Sequence, residues 1–141
     1  SKNAVIKVIQ RSQRTIAQQV EILMQKLHQP TKSIAQIALS TMEGLQMLPV
    51  DSIVSCESDS NYITLRLKGN KKVVVSRNLK DIEELLEEYS FIRVHRSFLV
   101  NLDEVEKYVK ADGGYLVMSD GSHIYISRNK KEEMLKKLTH E

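Results

Sequence analysis

The sequence predicts a mainly β domain of small antiparallel sheets with short helices, preceded by one long N-terminal helix. Three observations predict it. Residues 4–28 contain neither Gly nor Pro and carry apolar residues at helical spacing. After Pro30 the pattern changes to short runs rich in Val, Ile, Tyr and Thr. Those runs are separated by Gly69-Asn70, Gly113-Gly114 and Asp120-Gly121, dipeptides suited to tight turns at positive φ.

In the helical run, Ile6, Gln13, Val20 and Leu27 share one heptad position, and Ile9, Ile16 and Leu23 share the other. Pro30 disfavours helical geometry at Gln29 and ends the run. Two readings of Ile6, Ile9, Ile16, Val20, Leu23 and Leu27 stay open. The stripe packs on its own domain, or it is a dimer seam or a helix belonging to a preceding domain. Residues 1–32 are thus an amphipathic helix and linker, and residues 33–141 a separate β domain.

Within that domain, strands are expected over Ile34–Leu39, Ser52–Glu57, Asn61–Leu67, Lys72–Ser76, Glu104–Val109, Tyr115–Met118 and His123–Ser127. Alternation is clearest in Asn61–Leu67, where Ile63, Leu65 and Leu67 face one way and Tyr62, Thr64 and Arg66 the other. Between strands, Asn78 is placed to cap a short helix to Glu87 with Leu79, Ile82, Leu85 and Leu86 inward. Ser127 is placed to cap a last helix to about Leu138, with Met134, Leu135 and Leu138 inward.

Composition narrows the function. The chain has 141 residues, 41% of them hydrophobic, enough to build a core. No apolar run approaches the ~20 residues that cross a bilayer, and no secretory signal opens the sequence, so a cytoplasmic protein without membrane contact is expected. The net charge of +3 is unevenly spread. Residues 1–32 hold six Lys/Arg against Glu21 alone, whereas residues 33–141 hold 15 Lys/Arg against 17 Asp/Glu. A nucleic-acid contact in the second part therefore requires a local basic patch.

Catalysis finds no support. Cys56 is the only cysteine and is expected to be a buried, inert thiol. His28, His95, His123 and His140 show no metal-ligand spacing, and no Gly-rich phosphate loop opens a helix. Neither an enzyme nor a cofactor is expected. The informative stretch is Phe91 to Leu102, where Arg93, His95, Arg96, Ser97 and Asn101 stand among apolar anchors. It reads as a loop pinned by Phe91, Val94, Phe98 and Val100 with polar tips outward. Arginine offers a planar fork suited to guanine O6 and N7 or to phosphate oxygens, while His95 and Asn101 are expected to satisfy buried backbone groups.

Several blocks, from Leu48 to Leu138, resemble the LytTR-type DNA-binding domain of bacterial two-component response regulators. They are Leu48-Pro-Val-Asp-Ser-Ile-Val, Glu57-Ser-Asp-Ser-Asn-Tyr-Ile, Asn78-Leu-Lys-Asp-Ile-Glu-Glu-Leu-Leu and the His95-Arg-Ser-Phe-Leu-Val-Asn core. Tyr125-Ile-Ser-Arg-Asn-Lys-Lys is similar to the family's strand-to-helix ending. The resemblance implies an elongated fold that inserts loops, in place of a recognition helix, into major grooves of double-stranded DNA. It makes Asn61, Arg96, Arg128 and Asn129 base-facing, and sets His95, Ser97, Arg77, Asn78 and Lys80 against the sugar–phosphate backbone. Tyr62 packs or contacts phosphate. The family often has two arginines after the last strand's serine; here Arg128 is followed by Asn129, which leaves open whether Arg128 reads guanine or Asn129 reads adenine.

The resemblance also implies paired or direct-repeat half-sites, a homodimer, and a receiver domain governed by a sensor kinase. Residues 1–32 are too short for a receiver, so the chain is expected to be a fragment or short variant of such a regulator. The competing reading is a protein-interaction β module with a helical dimerisation arm.

Overall fold

The computed structural model describes residues 15–23 and 35–139, and the chain divides into two units, Ser1–Ile34 and Ala35–Glu141. In the first unit, residues 16–23 form helix α1. Its start is a capping box: Gln18 N–H donates to Thr15 Oγ1 (3.1 Å) and Thr15 N–H to Gln18 Oε1 (3.0 Å). The rest of the predicted run, residues 4–14 and 24–28, lies outside the described residues. Ile16, Val20 and Leu23 are exposed along it; Ile6, Ile9 and Leu27 lie outside the described residues.

The second unit holds three antiparallel sheets. Strands β1 (Gln36–Thr41) and β2 (Gly44–Pro49) pair as a hairpin. A five-stranded sheet follows, in the order β5-β4-β3-β7-β6, from β3 (Ile53–Asp59), β4 (Tyr62–Leu67), β5 (Lys71–Val75), β6 (Phe91–His95) and β7 (Phe98–Asn101). The third sheet, β10-β9-β8, comprises β8 (Val105–Val109), β9 (Tyr115–Met118) and β10 (His123–Tyr125). Helix α2 (Leu79–Leu85) links β5 to β6, and α3 (Lys131–Leu138) ends the unit. The mainly β reading of small antiparallel sheets with short helices holds.

Two cores lie on opposite faces of the central strand. Ile53 and Cys56 join Leu39, Leu65, Leu99 and the α2 residues in one core, while Val54 joins Val94, Val100, Leu116, Met118 and Met134 in the other. A register irregularity between Ile53 and Ser55 explains the split: residues three apart face one side because an extra residue is inserted between them. Strands buried on both faces lose clean alternation, as Ile53–Cys56 does. Helix α2 buries Leu79, Ile82 and Leu86 but leaves Leu85 partly exposed, a narrower stripe than predicted.

The main correction concerns Phe91 to Leu102. The stretch is a hairpin, β6–β7, whose connection is Arg96-Ser97. Its apolar residues are strand residues divided between the two cores, with Phe91 and Leu99 in one and Ile92, Val94 and Val100 in the other. Strand β2 is a further addition: Leu45, Gln46 and Met47 are exposed, so the burial pattern that marks a strand in sequence is missing there. Ser127 precedes a single 3-10 turn (Arg128–Lys130) and makes no side-chain cap bond, so α3 begins only at Lys131.

Candidate nucleic-acid interface

Sheet register brings the polar turns to one end of the five-stranded sheet. Strand β4 starts next to the β3–β4 turn (Asp59↔Tyr62), and its residue Ile63 pairs with Val75, the last residue of β5. Residues 76–78 therefore leave the sheet at the end that carries Ser60-Asn61. On the other side of β3, Glu57 pairs with Phe98, the first residue of β7, and Ser58 N–H donates to Ser97 O at 2.9 Å. The β6–β7 turn thus sits against the β3–β4 hairpin. Beyond β6, Ser127 N–H donates to Val94 O at 2.8 Å, which anchors residues 127–130 beside the same turn. Five strands at ~4.8 Å spacing make this end about 19 Å across.

Each candidate side chain has a definite support. Asn61 is exposed, one residue after Ser60, whose φ of 56° is left-handed. Tyr62 is also exposed and does not pack in either core. Arg77 is 4.0 Å from Asp81, and Asn78 caps α2 by accepting from Asp81 N–H at 2.8 Å. That cap agrees with the sequence expectation and leaves the Asn78 amide nitrogen unused by it. Lys80 is exposed on the first turn of α2.

The β6–β7 turn is braced from several sides. Ser97 N–H donates to His95 Nδ1 at 3.1 Å, which makes Nδ1 the acceptor and leaves Nε2 outside that bond. His95 also meets the edge of Phe98, ring centroids 5.9 Å apart. Arg93 donates from Nη2 to Arg96 O (2.6 Å) and from Nη1 to Glu83 Oε1 (3.2 Å). Arg96 itself is exposed. Asn101, at the far end of β7, is buried: Nδ2 donates to Ile53 O (2.9 Å) and Oδ1 accepts from Asp103 N–H (3.0 Å). Its role is to satisfy backbone groups, as expected; His95 does so only at the turn's partly open surface.

In the third turn, Ser127 Oγ lies 2.9 Å from Asn129 Oδ1 and 3.2 Å from Val94 O. The Asn129 amide oxygen is thereby tied to its own turn; both Arg128 and Asn129 are exposed. Glu83, Arg93, His95, Arg96, Ser127 and Asn129 line one shallow hollow together with Lys130. Among the described residues, Lys80, Arg96 and Arg128 form no salt bridge, whereas Arg77, Arg93 and Lys130 have carboxylate partners. The free positive charge of this end is thus local, in a unit whose overall charge balance is slightly acidic.

The sequence of this unit matches a known family. The family model for the LytTr DNA-binding domain matches residues 43–139. The chain belongs to the LytTR DNA-binding domain family. The Sensory transduction protein LytT of Bacillus subtilis is 33% identical over 108 residues, covering 74% of this chain and 44% of that protein. The Positive alginate biosynthesis regulatory protein of Pseudomonas aeruginosa is 29% identical over 98 residues, covering 67% of this chain and 39% of that protein. The chain therefore spans less than half the length of these relatives. A solved LytTr DNA-binding domain from Bacillus cereus superposes with a TM-score of 0.62 at 23% identity, over 74% of this chain and 96% of that one, so the LytTR fold is shared.

Sequence reasoning passed over one residue of this LytTR surface. Arg93 is recognisable as a polar side chain, but its bond to a carbonyl three residues on depends on the hairpin, which local sequence reads as a loop. Burial pushes the Cys56 thiol up to about 12, consistent with an inert core cysteine. Among the described residues no cluster of His, Cys, Asp and Glu is placed to hold a metal ion, and no helix is long and apolar enough to cross a membrane.

Proposed function

We propose that this LytTR domain binds double-stranded DNA sequence-specifically and serves as the output module of a two-component transcription regulator. The observation that carries the reading is the common placement of the Asn61, Arg96 and Arg128 turns at one sheet end bearing unpaired cations. An end about 19 Å across is wider than a major groove of about 12 Å. Individual turns enter the groove, and residues between them meet its phosphate walls.

Asn61 pairs with adenine N6 and N7, and Arg96 with guanine O6 and N7. Arg128 is the third base reader in preference to Asn129, because Ser127 engages the Asn129 carbonyl oxygen and Arg128 has no competing carboxylate among the described residues. His95, Ser97, Arg77, Asn78, Lys80 and Tyr62 contact the backbone and set register without reading sequence. The exposure of Tyr62 favours phosphate contact over packing.

The test is selection of bound duplexes from a random pool, followed by affinities for the selected site and its single-base variants. Arg96→Ala loses ~1–3 kcal/mol and relaxes preference at one base pair, whereas Lys80→Ala weakens every duplex alike. Affinity falls with salt by about one log unit of K per log of salt for each phosphate contact. Equal binding of all sequences by Arg96→Ala and the parent would overturn the assignment.

Pairing of two chains on paired half-sites would add affinity through effective concentration. The exposed stripe of Ile16, Val20 and Leu23 supports α1 as the dimer seam. Sedimentation of the chain with and without residues 1–30 checks it: identical monomer masses refute the seam. A receiver domain and a sensor kinase are the partners we propose for the whole regulator, a reading in keeping with a relative named as a sensory transduction protein.

A further inference from the structure

We propose that Arg93 and Glu83 form a bracket that sets the position of Arg96, so that base reading by the β6–β7 turn depends on a helix residue that touches no DNA. The inference rests on the reading of Arg96 as a base contact.

The bracket begins in the strand. Phe91 and Arg93 project to the face covered by α2, since Phe91 shares its core with Leu79, Ile82 and Leu86, while Ile92 and Val94 face the opposite core. Strand alternation therefore aims Arg93 at the helix. There Glu83 Oε1 receives Nη1 at 3.2 Å. The other arm of the guanidinium turns toward the hairpin connection, where Nη2 donates to Arg96 O at 2.6 Å. One planar cation thus ties helix, strand and turn together.

The arrangement is specific to arginine. The fork fixes both contacts in one plane, whereas a lysine ammonium is a single point on a flexible stem. Arg93 Nε is buried and has no hydrogen-bond partner, so the side chain forgoes one donor to place the other two. Glu83 neutralises the guanidinium and holds it to α2. Without Glu83, the cation is free to swing toward a phosphate and release the Arg96 carbonyl. Of the remaining turn contacts, Ser97 N–H to His95 Nδ1 holds the amide side of the same Arg96–Ser97 peptide, and Ser58 N–H to Ser97 O holds the next one; the Arg96 carbonyl side is held by Arg93.

The test uses the full chain and the duplex selected above, with Arg93→Lys, Glu83→Gln, Arg96→Ala and the double variants with Arg96→Ala. The readout is the affinity ratio between the selected duplex and its single-base variants, together with thermal unfolding. Arg93→Lys and Glu83→Gln are expected to reduce discrimination about tenfold at the base pair that Arg96→Ala relaxes and to leave it intact elsewhere. Added to Arg96→Ala, neither change costs further discrimination there, because the bracket acts only through that side chain. A merely structural role would instead lower the unfolding temperature and weaken all duplexes together.

Three results overturn the bracket. One is full discrimination in both single variants while Arg96→Ala relaxes a base. Another is independent, multiplying losses in the double variants. The last is a uniform loss over all duplexes. If Arg96→Ala relaxes no base, the base-contact reading itself fails and the bracket falls with it. Should Arg93→Lys fail to fold, Glu83→Gln, which changes one oxygen for an amide on a partly exposed helix face, decides alone.

Discussion

Replacing Asn101 by Ala tests whether the hairpin that presents Arg96 is secured to the central strand by a buried amide. Asn101 is 4% exposed and bonds Ile53 O and Asp103 N–H. Truncation strands the Ile53 carbonyl beside the core, at about 1–3 kcal/mol for an unsatisfied buried group. It also removes the cap of the 3-10 turn Leu102–Glu104, worth about 1 kcal/mol. The expected loss is therefore about 2–4 kcal/mol in urea or guanidinium unfolding. In a unit of this size each kcal/mol lowers the midpoint temperature by roughly 4–8 °C. Asn101→Asp keeps the acceptor for Asp103 N–H but turns the donor into an oxygen facing Ile53 O. Burial and that carbonyl raise the folded carboxyl above its unfolded value of about 3.9. Its destabilisation is thus smallest below pH ~3.9 and grows as pH rises through that value. A loss under about 0.5 kcal/mol for Asn101→Ala, the usual range of surface substitutions, refutes the reasoning.

Cys56, raised from 9.0 to about 12 by burial, keeps its proton longer in the folded state than in the unfolded chain. Stability accordingly declines as pH climbs above 9.0, and Cys56→Ala removes that component of the alkaline slope in a pH series of chemical unfolding. Native Cys56 reacts with a thiol reagent no faster than the protein opens. Gly114→Ala is destabilising by about 1–3 kcal/mol: its φ is +104°, and a Cβ would meet Tyr108 Oη at 2.9 Å. A thermal melt of Gly114→Ala checks it, with Gly121→Ala as a control at positive φ in open space. Asn78→Ala costs about 1 kcal/mol through the lost α2 cap, and Asn78→Ser restores most of it; a DNA defect that persists in Asn78→Ser separates the backbone contact from the cap.

Much of the fold is legible in local sequence. Ile63, Leu65 and Leu67 line the core side of β4, and Asn78 caps α2, because alternation and capping are set by neighbours within a few residues. The β6–β7 hairpin is not legible in this way. Its apolar residues are shared between two cores, so Phe91 to Val100 has no period that points to one buried face. Strand β2 is missed for the opposite reason: Leu45, Gln46 and Met47 are all exposed, and pairing with β1 alone makes them a strand.

The candidate site divides along the same line. Residue types are a property of the sequence: Asn61, Arg96 and Arg128 are polar or cationic residues in chain turns, whatever the turns come to face. Their gathering at one sheet end was decided by tertiary structure, through the pairing of β3 with both β4 and β7 and the Ser127–Val94 bond. So was the difference between paired and unpaired arginines. Glu83 and Arg93 are ten residues apart, and only the packing of α2 on the sheet brings carboxylate and guanidinium to 3.2 Å. Local chemistry is written along the chain; charge pairing and alignment depend on distances that exist only once the sheets have formed.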